Sequence, residues 1–308
     1  MKILSHIHPR LLESACQAFP DIEVIQIPQE GELPEHVEGE VLLTQAWGSP
    51  NLAECVKRGV RWIHTFGTGV NAFPFDQVGD AVLTCARGAS AIPISEWVLA
   101  VMLAFEKQLP DSWISQPPER WNMAELGGLR GRTLGLIGLG GIGEAIATRA
   151  LAFDMRVLAH RRTGRPSEID GVSVVPDLHT LLEATDHLVL AAAATPETRH
   201  IVNRESLGRV KPGVHLVNIA RGELVDQDAL REALDAGRVA CASLDCVDPE
   251  PLPDDHWLYS HPRVRLSPHT SWAMPGALKT ISDTFTENLR RFRAGEPLEG
   301  VVDVKQGY

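Results

Sequence analysis

The run RTLGLIGLGGIGEAIATRALAF, residues 132–153, decides how this chain is read. Its first part, TLGLIG (133–138), is an apolar strand candidate, and its last part, GIGEAIATRALAF (141–153), repeats apolar residues at helical spacing. Between them Gly138, Gly140 and Gly143 fall into the pattern GxGxxG. Strand, glycines and helix in this order are the context in which the pattern grips a dinucleotide. Gly138 permits a tight turn, Gly140 lets the backbone approach a pyrophosphate, and Gly143 lets helix and strand pack closely. The helix opening offers unpaired N–H groups and a partial positive charge to the phosphates. Gly141 and Ile142 belong to the same turn and join the cofactor set.

The next strand candidate, RVLAH (156–160), chooses between cofactors. An acidic residue at its end would hold the ribose 2′-hydroxyl of NAD. Arg161, Arg162 and Thr163 stand there instead. Guanidinium forks suit a phosphate, so NADP is expected over NAD, with NAD still open. The other reading of the two arginines is a solvated loop. His160, beside them, is a candidate contact for the adenosine phosphate.

Further strands follow at HLVLAA (187–192), GVHLVNI (213–219), VACASLD (239–245) and VRLSP (264–268). Helices are expected between them at 178–184, 204–210 and 226–237, the last stopped by Gly237. Upstream, strand candidates at 2–7, 23–27, 41–45, 61–66 and 81–85 alternate with helical spacing at 11–19 and 51–59. Strands alternating with helices predict parallel sheets covered on both faces. The helix signal at 94–109 is apolar nearly all round and is expected to be buried between domains or subunits. The stretch 110–128, rich in proline and polar residues, reads as a surface connection. The chain closes with a helix signal at 276–296 and a short edge strand or tail.

Composition narrows the classes. The 44% apolar and 22% charged shares are those of an ordinary globular protein. A net charge of −11, from 29 basic and 40 acidic residues, argues against a general nucleic-acid binder. No apolar run approaches membrane-spanning length, and the start MKILSHIHPR has no signal-peptide core. Five cysteines without a CxxC pair read as reduced core residues and predict a cytoplasmic setting. His6 and His8 are one residue apart, but no Cys or acidic cluster supports them, and no metal is expected.

Three more islands, VNIARGELVDQDAL (217–230), SLDCVDPEPLP (243–253) and LSPHTS (266–271), complete a pattern with the glycine motif. Together they resemble the D-isomer-specific 2-hydroxyacid dehydrogenases through residues 61–275, most strongly over 130–272. The resemblance implies a Rossmann-type doubly wound parallel sheet plus a flavodoxin-like substrate domain. It sets a substrate (catalytic) domain at about 1–95 with 276–308, and a dinucleotide-binding domain at about 96–275. A cleft closing over the substrate and a homodimer are implied as well.

The resemblance also implies an Arg–Glu–His set. Arg221 matches the substrate-binding arginine, Glu250 its acidic partner, His269 the acid/base, and Asp245 the aspartate near the nicotinamide carboxamide. Thr195 and Ala220 join the cofactor contacts. The chemistry fits these residue types. A 2-oxo acid carries a carboxylate beside a ketone, and an arginine fork can hold one and polarise the other. Hydride arrival creates an alkoxide, and an imidazolium can protonate it. The segment TFGTGVNAF (65–73) resembles the family's substrate loop, with Gly67, Thr68, Gly69 and Val70 offering N–H groups to the carboxylate; an ordinary strand-to-helix turn is the other reading. Trp272 borders either the substrate or a core. Ser90 stands where an asparagine is common, and Pro93 departs from the pattern.

The expected function is hydride transfer between NADP(H) and C2 of a small 2-oxo or 2-hydroxy acid, glyoxylate and hydroxypyruvate being the first candidates. Two rivals remain: a non-catalytic dinucleotide sensor on the same fold, and a different dehydrogenase sharing only the nucleotide domain.

Overall fold

Parallel strands and covering helices are laid down twice along the chain. The computed structural model describes residues 1–122 and 125–308; Met123 and Ala124, in the expected surface connection, lie outside the described residues. The chain divides into two units, one of Met1–Ser90 with Met274–Tyr308, the other of Ala91–Ala273.

The first unit holds a five-stranded sheet: β1 (Lys2–Ser5), β2 (Glu23–Gln26), β3 (Val41–Gln45), β4 (Trp62–Phe66) and β5 (Val82–Cys85). All pairs are parallel, in the order β2-β1-β3-β4-β5, which is flavodoxin-like. Helices α1 (Glu13–Ala18) and α2 (Leu52–Val56) lie between strands. The C-terminal segment returns here, because Phe285 and Leu289 are fully buried against Ile3, Val41, Leu43 and Trp62. Phe285 stacks on Trp62 with ring centroids 5.3 Å apart. Burying one such side chain contributes about 1.5–3 kcal/mol.

The second unit opens with α3 (Ala91–Glu106), then β6 (Thr133–Ile137), α4 (Gly141–Ala152), β7 (Arg156–His160), β8 (Val172–Val174), α5 (Leu178–Ala184), β9 (His187–Leu190), α6 (Arg204–Arg209), β10 (Val214–Asn218), α7 (Gln227–Asp235), β11 (Val239–Leu244) and β12 (Val264–Leu266). The last helix, α8 (Ala277–Ala294), belongs to the first unit. The seven strands are parallel in the order β12-β11-β10-β9-β6-β7-β8. The order reverses between β6 and β9, as in doubly wound dinucleotide folds. Helix α3 packs Val98, Leu99 and Met102 with Leu134, Leu136, Ile146 and Ala147 of its own unit.

Four cysteines are buried, but Cys16 is exposed. That corrects the expectation of an all-core set: Cys16 lies on the open face of the short α1. Among the described residues, no helix is long and apolar enough to cross a membrane.

Two buried histidines make the fold acid-sensitive. His64, on β4, is fully buried with Nδ1 2.8 Å from the Thr84 hydroxyl, and burial lowers its pKa to about 3. His215, on β10, is held well below its ordinary value by burial and, secondarily, by neighbouring His187 and Arg265 charge. Both stay neutral when folded and take up protons near the ordinary value of 6.5 when unfolded. The unfolded chain therefore binds more protons below that value, and stability falls as pH falls. Two such groups cost about 3 kcal/mol between pH 6.5 and pH 5, the slope steepening as the imidazoles of the unfolded chain fill. Denaturant unfolding at pH 7 and pH 5 checks this. Equal stabilities would contradict it, and His64→Gln with His215→Gln should flatten the slope.

Candidate active site

The glycine turn is shaped by what surrounds each glycine. Gly138 has φ +100°, and a Cβ there would lie 2.6 Å from the Ala192 backbone nitrogen. The turn therefore runs tight against the end of β9, at the point where the strand order reverses. A Cβ on Gly143 would lie 2.5 Å from the Gly138 carbonyl oxygen, so α4 can start this close only on glycine. Gly140 differs. It caps α4, is exposed, and a Cβ there would meet nothing within 4 Å. Open space over a helix N-terminus that receives no side-chain cap fits a pyrophosphate. Gly141 is exposed and Ile142 half-buried on the same turn.

At the end of β7, His160 is half-buried and its Nδ1 meets no partner among the described residues. Arg161 is half-buried; Arg162 and Thr163 are exposed. Across the turn after β9, the Thr195 backbone N–H donates to the Thr198 hydroxyl at 2.8 Å. A hydrogen bond from Thr195 and, more weakly, the Arg162 charge hold the Glu197 carboxyl below the usual range. Charged and polar side chains thus gather in the turns that follow β7 and β9.

Arg221 is set by the end of β10. Asn218 Oδ1 accepts the Ala220 N–H at 3.0 Å, and Asn218 Nδ2 donates to the Arg221 carbonyl at 2.9 Å and the Cys246 carbonyl at 3.3 Å. Ala220 is buried, and Arg221 is half-buried with Nη1 donating to the Ala220 carbonyl at 2.7 Å. Behind it, a Cβ on Gly222 would lie 1.9 Å from the Val247 carbonyl carbon. Only glycine lets the Arg221 turn abut the segment that leads to Glu250.

Glu250 and His269 form a pair. Glu250 Oε1 accepts the Val247 N–H at 3.0 Å, and Oε2 accepts from His269 Nδ1 at 2.8 Å. A carboxylate only accepts, so Nδ1 carries the proton and Nε2 is left to exchange one. The side chains are 39% and 38% exposed, so the pair is open to a ligand. His269 has φ +53°, a left-handed conformation that costs a non-glycine residue about 1–3 kcal/mol. Such backbone persists only where the surroundings impose it. The His269 N–H donates to the Asp245 and Ser267 carbonyls, both at 3.0 Å, and its carbonyl accepts from Trp272 Nε1 at 3.0 Å. Trp272 also packs on the core of α3 and α4.

Asp245, Cys246 and His269 bring three ligand-type atoms within 4.8 Å of one another. The Asp245 oxygens are already taken by Ser267, Thr270 and Ser271, and burial pushes the Cys246 thiol up to about 12. A protonated thiol and a saturated carboxylate make a hydrogen-bonded anchor, not a metal cradle.

In the first unit, Gly67 has φ +154° and its N–H donates to the Thr65 carbonyl at 2.9 Å. The Thr68 hydroxyl donates to the Ala86 carbonyl at 2.9 Å, and Val70 is buried. Among the described residues, the N–H groups of Thr68, Gly69 and Val70 meet no acceptor. Ser90 is buried, and Pro93 lies in the first turn of α3, where no N–H is required.

Asn218, Gly222 and Ser267 escape sequence reading. Each acts on a neighbour distant in sequence, and only the asparagine at a strand end carries any local signal.

A doubly wound sheet with an open glycine turn at its switch point, and an Arg, Glu and His at the ends of its strands, defines a dinucleotide-dependent dehydrogenase. Comparison with known proteins gives the family. Residues 99–271 match the model of the D-isomer specific 2-hydroxyacid dehydrogenase NAD binding domain. A hydroxypyruvate reductase of Thermotoga maritima is 37% identical over 297 residues, covering 92% of this chain and 96% of that protein. A D-3-phosphoglycerate dehydrogenase of Methanocaldococcus jannaschii is 30% identical over 292 residues; the match covers 92% of this chain but 56% of that protein. The crystal structure of a D-isomer specific 2-hydroxyacid dehydrogenase from Xanthobacter autotrophicus Py2, in complex with NADPH and MES, superposes with a TM-score of 0.86 at 27% identity, covering 100% of this chain and 99% of that one. The chain belongs to the D-isomer-specific 2-hydroxyacid dehydrogenase family, whose members act with NAD(P) on small 2-hydroxy and 2-oxo acids.

Proposed function

We propose that this protein is an NADP(H)-preferring reductase of small 2-oxo acids, with His269 as acid/base. The observation that carries the reading is the Glu250–His269 pair at 2.8 Å, with the imidazole held in a left-handed turn and half-open to solvent. The unit Ala91–Ala273 is the dinucleotide-binding domain, and Met1–Ser90 with Met274–Tyr308 is the substrate domain.

The cofactor supplies a hydride to C2 of the substrate. Gly138–Gly143 and the N-terminus of α4 hold its pyrophosphate, and Thr195, Ala220 and Asp245 line the path toward the reacting end. Arg221 binds the substrate carboxylate and orients the ketone oxygen by its planar fork. His269 Nε2 gives a proton to that oxygen during reduction and removes one in the reverse direction. Glu250 fixes the tautomer through Nδ1 and offsets the imidazolium charge. The open N–H groups of Thr68, Gly69 and Val70 support anion recognition by the first unit.

Two relatives bear on the substrate: the Thermotoga maritima protein is a hydroxypyruvate reductase, and a Thermococcus onnurineus glyoxylate reductase is 43% identical over 169 residues. Hydroxypyruvate and glyoxylate are therefore the first substrates to try. With NADPH carrying deuterium at both C4 positions and hydroxypyruvate, deuterium should appear at C2 of the glycerate formed. Cofactor oxidation without deuterium in product would reject the reading.

The preference for NADP rests on Arg161 and Arg162 and on the missing acid at the end of β7. A desolvated charge-assisted hydrogen bond contributes about 1.5–3 kcal/mol, and solvent screening leaves the half-buried Arg161 and exposed Arg162 about that much together. Arg161→Asp with Arg162→Ala should raise the Kd for NADPH by about ten- to a hundredfold and leave NADH nearly unchanged. Equal losses for both cofactors would remove the arginines from the phosphate site.

A homodimer is supported by Trp113, Ile114 and Trp121, which are 71%, 59% and 72% exposed on one connection. Aromatic surface of this kind is a hallmark of interface cores. Buried free thiols at Cys55, Cys85, Cys241 and Cys246 suit a reducing compartment such as the cytoplasm.

A further inference from the structure

Helix α3 ends on Glu106, whose carboxylate starts a polar row across β9, β10 and β11. His187 Nε2 lies 3.0 Å from Glu106 Oε1, His187 Nδ1 lies 3.2 Å from His215 Nδ1, and His215 Nε2 lies 2.9 Å from the Ser243 hydroxyl. All four side chains are buried. Phe105 stacks on His215 with ring centroids 4.6 Å apart and meets His187 edge-on at 5.8 Å, which holds both rings in place.

The row has few ways to place its hydrogens. A carboxylate only accepts, so His187 Nε2 carries one. The two facing Nδ1 atoms share a single hydrogen. With both rings neutral it sits on His215, and Ser243 donates to His215 Nε2. One added proton reverses the row. It binds His215 Nε2, the Nδ1 hydrogen passes to His187, and Ser243 now accepts from His215 and donates to the Cys241 sulfur beside it. Every contact in the row survives, and the charge lands on His187 next to Glu106. The surroundings favour that place. Burial, then His187 and Arg265 of β12, disfavour a charge on His215. Burial pushes the Glu106 carboxyl up, but His187, Arg132 and the Gly128 N–H outweigh it and hold it below the usual range. Arg132 Nε lies 3.6 Å from Glu106 Oε1, and Lys211 is occupied by Asp186 at 3.1 Å.

Glu106 is also the root of the connection that carries the exposed Trp113, Ile114 and Trp121. Its carbonyl accepts the Gly127 N–H at 2.9 Å, and a Cβ on Gly127 would lie 1.8 Å from its Oε2. Beside it, Lys107 Nζ donates to the Gly127 carbonyl at 2.6 Å and Gln108 Nε2 to the Glu125 carbonyl at 3.4 Å. Both ends of the connection thus meet at this carboxylate. We propose that Glu106, His187, His215 and Ser243 form a proton-loaded latch: the row takes up one proton as a unit, and the Glu106–His187 ion pair so formed tightens the root of the connection in acid. The latch is independent of the chemistry assigned to His269.

The first test uses the full-length protein labelled with 15N in histidine. Long-range 15N–1H spectra report which ring nitrogens carry hydrogen, and the coupling between the two Nδ1 atoms identifies the pair. At pH 8 His187 should be the Nε2–H form and His215 the Nδ1–H form. On acidification His187 should become imidazolium while His215 changes to the Nε2–H form and stays neutral, both with one midpoint. A His215 that keeps its tautomer or takes the charge itself would overturn the proposal, as would a pair unchanged down to the pH of unfolding. The second test reads the hold on the connection by amide exchange in residues 107–122, in wild type and Glu106→Gln, with residues 133–137 of β6 as reference. The ratio of variant to wild-type exchange should be about three- to tenfold larger at pH 5.5 than at pH 8, the effect of roughly half to one pH unit of linkage. Equal ratios at the two pH values would overturn the latch. If Glu106→Gln does not fold, the wild-type spectra decide alone.

Discussion

His269→Asn is expected to lower kcat for 2-oxo acid reduction by about 10²- to 10⁴-fold, the range that a lost general acid/base commonly costs. Asparagine is the informative replacement. It tolerates the left-handed backbone that His269 adopts at φ +53°, so the turn should survive the substitution. Glu250 Oε2 keeps a neighbour able to donate, and the Asp245 contacts to Thr270 and Ser271 are untouched. Binding of NADPH should stay at the wild-type level. A loss confined to KM, with kcat preserved, would mean that His269 binds substrate without moving a proton.

Arg221→Ala carries the second large effect. The fork is assigned two tasks, anchoring the substrate carboxylate and orienting the ketone oxygen on which charge develops. Removing one preorganised donor to a developing oxyanion costs about 10²- to 10³-fold in kcat, and loss of the carboxylate anchor raises KM on top of it. Arg221→Lys should recover only part, because an ammonium keeps the charge but not the planar pair of donors. Asn218 and Gly222 stay in place, so the fold of the 218–224 turn is not at risk. Near-normal activity in Arg221→Ala would favour a dehydrogenase that shares only the nucleotide domain.

Much of this was legible in the residues because the signals are local. The glycine turn, β6 and α4 follow from adjacent letters, and the structure puts the strand at Thr133–Ile137 and the helix at Gly141–Ala152. Local chemistry also explains the misses. The helix expected at 11–19 is a 3-10 turn, Pro9–Leu12, followed by the short α1. The one expected at 51–59 shrinks to Leu52–Val56, with Gly59 at φ +92° three residues on. Helix α3 starts at Ala91, three residues before its expected start, because Pro93 fits a first turn that requires no N–H. Strand β8, Val172–Val174, is three residues long at the sheet edge and gave too little alternation to register.

Non-local partnerships were out of reach. Glu106, His187, His215 and Ser243 form a buried chain, with contacts of 3.0, 3.2 and 2.9 Å between residues far apart in sequence. No spacing rule announces such a chain, because it exists only once α3, β9, β10 and β11 are side by side. The Asp245 grip on the 267–271 turn is of the same kind. Sequence motifs named Asp245 and His269 separately; the fold supplies the bonds that tie one to the other.

The measurement that tests the account most directly is oxidation of NADPH and of NADH, in parallel, with glyoxylate, hydroxypyruvate, pyruvate and phenylpyruvate. The account predicts turnover with a small 2-oxo acid, a higher kcat/KM with NADPH than with NADH, and loss of that turnover in His269→Asn. Tight NADPH binding with no turnover on any of the four acids would contradict it and point to a dinucleotide sensor built on a dehydrogenase fold.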